Sequence, residues 1–258
     1  MSAPDLPPPI AHAPVSRPLA AHLTAAQADP ADLAGTVVVM IDALRASTTI
    51  AAALHAGAPS ITPILTVEQA QSAAASQSPR PALCGERAGR HIPGFDLGNS
   101  PRDFTPGAIG GRHILFTTTN GTAALLHAAA AGAAEILVGS FANLSAICDR
   151  LAEDARPVHL LCAGTRDRVS LDDCIAAGAM IDRLLTAGRN LTADDPARLC
   201  LAAWHLAECD LPAAMLASRG GRNLAAIGLT QDVLDCCEID AHPVLPRFDP
   251  ATGAIRSI

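Results

Sequence analysis

Along this chain, short runs of continuous apolar residues alternate with longer Ala-rich stretches of helical character. Val37 to Ile41 is five apolar residues in a row, the pattern of a strand buried on both faces. It predicts a strand, and Ser47 to Ala56 after it a helix ending at Gly57. Ile61 to Thr66 and Val67 to Ala75 repeat the pairing, as do Ile114 to Thr117 with the helical stretch reaching Ala131. Glu135 to Val138 is a further strand with a helix to Leu151, and His159 to Cys162 one with a helix from Ser170 to Leu185. Ala20 to Ala28 reads as a short helix stopped before Pro30. Asp194 to Ala217 and Asp232 to Cys237 read as helical, with Arg219-Gly-Gly-Arg222-Asn223 as a loop between them. Such alternation predicts an α/β fold, its sheet largely parallel or mixed and flanked by helices. A division into two lobes would fall near 130–155. Residues 1–15, with Pro7-Pro8-Pro9, read as a flexible tail ahead of the α/β unit spanning 16–258.

Three of the strands end in a tight cluster of hydroxyl, amide or glycine residues. These are Asp42-Ala-Leu-Arg45-Ala-Ser47-Thr48, Thr117-Thr118-Thr119-Asn120-Gly121, and Cys162-Ala-Gly164-Thr165. Hydroxyls and amides before a helix are ordinary N-caps, but unpaired N–H groups at helix starts also form anion seats. Three clusters, two with charges beside them, favour a site for a phosphate ester. Ligands of open α/β sheets collect beyond the carboxyl ends of the strands. Asp42, at a strand end, needs a cation as partner, either Arg45 or a metal. The segment between the second and third strand-helix pairs is Gly-punctuated and irregular, and carries Glu86, Arg87, Asp96 and Asn99. Irregular stretches of this kind are often functional. Magnesium takes oxygen ligands, one or two of them from Asp42, Glu86, Asp96, Asp172 and Asp173. For Asp172 and Asp173 the simpler role is to offset the dipole of a helix that Ser170 caps.

Composition removes several classes. Aromatics make up 2% of the chain, with no Tyr and one Trp, too few for base-stacking platforms. The net charge is −7 with no basic run, so nucleic acid is excluded as a partner on electrostatic grounds. The eight cysteines form no CxxC pair and read as reduced residues of a soluble, cytoplasmic protein. There is no secretory leader pattern and no uninterrupted apolar run of spanning length, so no membrane partner is expected. The Ala-rich helices permit a homodimer without requiring one. Cys162 is the one thiol at a strand end beside a glycine and a hydroxyl; it is a candidate nucleophile or a packed core residue. GxxxxGK[ST], GxSxG, DxDx[TV] and HExxH are all missing.

Six segments, in order, resemble the motifs of the 2-phosphosulfolactate phosphatase family. They are Val39 to Thr49, Gly85-Glu86-Arg87, Gly94-Phe-Asp-Leu-Gly-Asn99-Ser100-Pro101, Thr117 to Thr122, Gly139-Ser140-Phe-Ala-Asn143, and Cys162-Ala-Gly164-Thr165. The resemblance implies a Mg2+-dependent phosphatase that converts 2-phospho-3-sulfolactate, a small anionic phosphorylated substrate, to 3-sulfolactate and phosphate. Its motifs place Asp42, Arg45, Glu86 and Cys162 as catalytic candidates, with Asp42 and Glu86 as metal candidates. Ser47, Thr48, Arg87, Asn99, Ser100, Thr118, Thr119, Asn120, Gly121, Gly164 and Thr165 are the candidates for holding substrate. The alternatives are a phosphatase for another small phosphorylated acid, or a non-catalytic sensor of an anionic metabolite.

Overall fold

The computed structural model describes residues 17–191 and 195–258; the stretch 1–15 expected as a tail lies outside them. The strands are β1 (Pro18–His22), β2 (Val37–Ile41), β3 (Ile61–Pro63), β4 (Ala82–Arg87), β5 (Arg90–His91), β6 (Ile114–Thr117), β7 (Glu135–Gly139), β8 (Val158–Cys162), β9 (Asn190–Leu191), β10 (Pro246–Asp249) and β11 (Ala254–Ser257). The helices are α1 (Pro30–Leu33), α2 (Ala46–His55), α3 (Val67–Ala75), α4 (Pro106–Ile109), α5 (Gly121–Ala130), α6 (Leu144–Ala152), α7 (Leu171–Thr186), α8 (Asp195–Ala207), α9 (Leu211–Ala217), α10 (Arg219–Ala226) and α11 (Thr230–Asp235).

All described strands join one sheet in the order β5-β4-β6-β3-β11-β10-β7-β2-β8-β1-β9. It is mixed in a specific way. β4, β6 and β3 are parallel to one another, as are β7, β2, β8, β1 and β9. The hairpin β10–β11 joins the two sets through antiparallel pairings on both sides, so the sets run in opposite senses. Sheets twist by about 20–25° per strand step. Over the five steps from β6 to β2 this accumulates to roughly 100–125°, which turns the carboxyl ends of the two sets towards each other.

β2 is buried along its whole length, as its unbroken apolar run requires. Val37, Val39 and Ile41 pack with α6, α7 and α8 on one face. Val38 and Met40 pack with α2 and α5 on the other. A smaller cluster sets Ala70 and Ala74 of α3 on Leu83 and Leu115. Each fully buried Val, Leu, Ile or Met side chain contributes about 1.5–3 kcal/mol.

Three local expectations are corrected. The segment read as irregular around Glu86 and Arg87 is in part sheet: Ala82–Arg87 is β4, whose backbone groups pair with β6, and Arg90–His91 is β5. The stretch read as a helix over Ala20 to Ala28 begins as strand β1, parallel to β8 and in register Leu19 to Val158; only Ala25–Gln27 is helical, as one tight turn. Pairing to the sheet edge overrides the helix propensity of alanine there. Arg219 to Asn223 is not a loop but opens α10, with the Ser218 side chain accepting the Gly221 N–H. Gly221 serves close packing: a Cβ there would lie 2.0 Å from the Met215 carbonyl oxygen. Asp195–Ala217 reaches spanning length, 23 residues at a mean hydropathy of 1.2. It is divided between α8 and α9 by a tight turn at Glu208–Asp210, which places two carboxylates within it.

Candidate active site

The carboxyl ends of β2, β4, β6 and β8 meet around a cavity of about 490 Å³. Asp42, Arg45, Glu86, Asn99, Thr119, Asn120 and Thr165 line it. So residues from five of the six motif segments face one space, although the strands that carry them belong to two oppositely directed sets.

Three carboxylates beneath and beside this cavity are held by the backbone amides of the strand-end clusters. Glu86 accepts from Thr119 N–H and Thr119 Oγ1, both at 2.7 Å, on one oxygen, and from Gly89 N–H at 2.6 Å on the other. Asp173 accepts from Ala43 N–H at 2.8 Å and from Gly164 N–H at 2.9 Å, tying the end of β2 to the end of β8. Asp42 accepts from Gly121 N–H, at the start of α5, and weakly from Ala46 N–H. The clusters that the sequence presents as anion seats are therefore occupied by the protein's own acids. Ser47 accepts the Asp42 N–H, Thr48 donates to the Ala43 carbonyl, and Thr118 pairs with Thr122. All three are buried and serve the loop geometry.

Crowding of acids has an electrostatic consequence. Burial, then Glu86 and Asp172, pushes the Asp42 carboxyl up to about 7. Burial also raises Asp172, and raises Asp173 further with the help of Asp172 and Asp42. Asp172 lies behind the cavity, bonded to Ser170 at 2.9 Å. Concentrated negative charge of this kind calls for a cation.

The arginines divide by partner. Arg45 is buried in an ion pair with Asp232 and donates to the Gly89 carbonyl at 2.8 Å. Ser100 donates to the same Asp232 at 3.0 Å. Arg87 turns away from the cavity, to the carbonyls of Glu86 and Leu65 and the Thr117 hydroxyl. Asp96 is bound to Arg80, Arg112 and the Leu83 N–H. It lines a neighbouring cavity of about 520 Å³ that shares Arg45, Gly89 and Asn99 with the first. The Asn99 Oδ1 is buried without a partner among the described residues. Cys162 is buried outside the lining, next to Cys174 and Cys200, and its thiol is raised well above the usual range by S–H contacts with both and by burial.

Sequence reasoning missed Arg166, Arg219 and Asn223, which line the same cavity as the acids. Among the described residues, neither Arg166 nor Arg219 has an ion pair. Arg219 had a signal, the Gly-Gly that follows it, which was read as loop chemistry. Asp232 had none: a lone acid in a short helical run looks like any solvated position.

A profile of the 2-phosphosulpholactate phosphatase family matches residues 22–250. The probable 2-phosphosulfolactate phosphatase of Symbiobacterium thermophilum is 38% identical over 218 residues, 84% of this chain and 93% of that one. Its counterpart in Deinococcus radiodurans is 38% identical over 225 residues, covering 85% and 92%. That of Caldanaerobacter subterraneus subsp. tengcongensis is 33% identical over 227 residues, covering 88% and 92%.

Proposed function

Because this chain belongs to the 2-phosphosulpholactate phosphatase family, we propose that it hydrolyses 2-phospho-3-sulfolactate to 3-sulfolactate and phosphate with Mg2+ as cofactor. The observation that carries the reading is the convergence of Asp42 and Glu86 on one cavity that Arg166 and Arg219 also line. Acids and unpaired arginines lining one space suit a substrate that brings several negative charges to a hard cation.

The donor set fits magnesium. Asp42 and Glu86 offer only oxygen; Glu86 is held on both oxygens by N–H and O–H donors, and its Oε2, which accepts from Gly89 N–H alone, keeps a lone pair for a cation. Bound there, Mg2+ would neutralise the facing acids and withdraw electron density from the phosphoryl group. Thr119 and Gly89 fix the direction of Glu86, so little reorganisation is needed when charge develops. Asp173 stands behind, holding the ends of β2 and β8 at a fixed separation. Arg45 is oriented by Asp232 and faces the same space, where its charge stabilises the phosphoryl oxygens. Arg166 and Arg219 have donors to spare for the remaining anionic groups. With no thiol in the lining among the described residues, direct attack by water on phosphorus is the simpler route.

Phosphate release from 2-phospho-3-sulfolactate, measured with Mg2+ and after chelation, tests the reading. Release only with metal is the expected outcome; equal release in chelator removes the cofactor, and no release removes the substrate. Rapid quench with labelled substrate should trap no phosphoenzyme. A trapped one would restore the covalent route.

A further inference from the structure

Behind the cavity, on the α7 and α8 face of the sheet, three thiols from distant parts of the chain come together. Cys162 ends β8, Cys174 lies in the first turn of α7, and Cys200 is in the middle of α8. Their sulfur atoms all lie within 4.8 Å of one another, and all three residues are buried. We propose that this cluster is a binding site for a soft, thiophilic metal ion, with Cu(I) as its best match.

Geometry supports a site and not merely three small core residues. Three sulfurs around one ion, at a metal–sulfur distance of about 2.3 Å, stand roughly 3.8–4.0 Å apart. The cluster therefore needs to contract by less than about 1 Å to close on an ion. The approach of α8 to α7 is fixed by backbone contact: a Cβ on Gly178 would lie 2.1 Å from the Cys200 carbonyl oxygen. Gly178 is one turn beyond Cys174 on the same face of α7, so the contact that excludes a side chain at 178 also carries Cys200 up to Cys174.

Donor chemistry selects the ion. The group holds three sulfurs and neither imidazole nor carboxylate. Thiolates favour Cu(I) over hard ions such as Mg2+, so the site is chemically separate from the oxygen-lined cavity. Structural zinc takes four ligands, and catalytic zinc completes its shell with water; Cys162 and Cys200 are fully shielded from solvent. A three-coordinate soft ion is the occupant that this set satisfies. Binding replaces thiol protons, which pass to solvent, by metal–sulfur bonds; copper enters and stays as Cu(I), so no oxidant or reductant takes part. The cluster also adjoins the clamp described above, because Cys174 follows Asp173 in the chain and Cys162 precedes Gly164 by two residues.

The test is anaerobic titration of the intact protein with Cu(I) against a chromogenic chelator, together with X-ray absorption at the copper edge. One tightly held equivalent with a sulfur-only, three-atom shell is expected. Cys174→Ala and Cys200→Ala should each lose it, and Cys209→Ser, at an exposed position, should keep it. Failure of the wild type to compete with the chelator overturns the proposal, as does copper retained by the Cys174→Ala, Cys200→Ala double variant. If either alanine variant does not fold, the absorption spectrum of the wild type decides: nitrogen or oxygen in the shell, or fewer than three sulfurs, rejects the site.

Discussion

Arg45 and Asp232, 187 positions apart, form an ion pair in which both side chains are almost entirely buried. The pair joins the loop after β2 to α11 and sets the direction of a buried arginine that faces the cavity. Truncating one partner of a buried pair strands the other charge. Asp232→Ala should therefore destabilise the fold by about 3–5 kcal/mol, read from urea unfolding. A loss below 1 kcal/mol would show that Arg45 finds another partner.

Asp42 gives an unusual pH signature. Its carboxyl is pushed up to about 7 from an ordinary value of 3.8, so between these values the folded state holds a proton that the unfolded chain has lost. The stability it contributes is full at low pH and lost as pH rises through about 7. With metal chelated at pH 8, Asp42→Asn should be more stable than the wild type by about 1–3 kcal/mol, and with Mg2+ present its phosphate release should disappear. Lower thermal stability of this variant, or retained turnover, would contradict the assignment.

The arginines of the lining predict a split in kinetics. Arg219→Ala should raise KM for the phosphorylated sulfonate by about 10- to 100-fold, the worth of one hydrogen bond to a charged group, and leave the unfolding midpoint nearly unchanged. Steady-state rates at several ionic strengths provide the check. An unaltered KM would take Arg219 out of substrate recognition.

Asp154 gives the opposite sign to Asp42. Hydrogen bonds from Arg156, with help from Arg150, hold its carboxyl well below the usual range. The stabilisation is present above the ordinary carboxylate pKa and is lost as pH falls through the depressed one. Because the arginines are partly exposed, Asp154→Asn should cost only about 1 kcal/mol at pH 7. In thermal scans the difference from wild type should shrink as the medium is acidified below about pH 4.

Much of this protein is fixed by local sequence. The apolar run at Val37 to Ile41 reads as a strand from sequence alone, since five consecutive buried residues suit a sheet covered on both faces. The order of the motifs was likewise enough to identify the family; Asp42 stood out because a carboxylate at a strand end is costly without a partner, and Glu86 because it lies in a Gly-punctuated segment. What only the tertiary structure decided is direction. The sequence shows that Thr119, Gly121 and Gly164 have amides to offer, but not that Glu86, Asp42 and Asp173 would take them: Glu86 and Asp42 come from strand ends elsewhere in the chain, and Asp173 reaches back from the helix that follows Gly164. Nor could it show that Arg87 turns outward while Arg219 turns in, or that Asp232 reaches Arg45. Such pairings depend on the accumulated twist that brings two opposed sets of strands end to end, and twist is a property of the whole sheet, with no signature in any single segment of the chain.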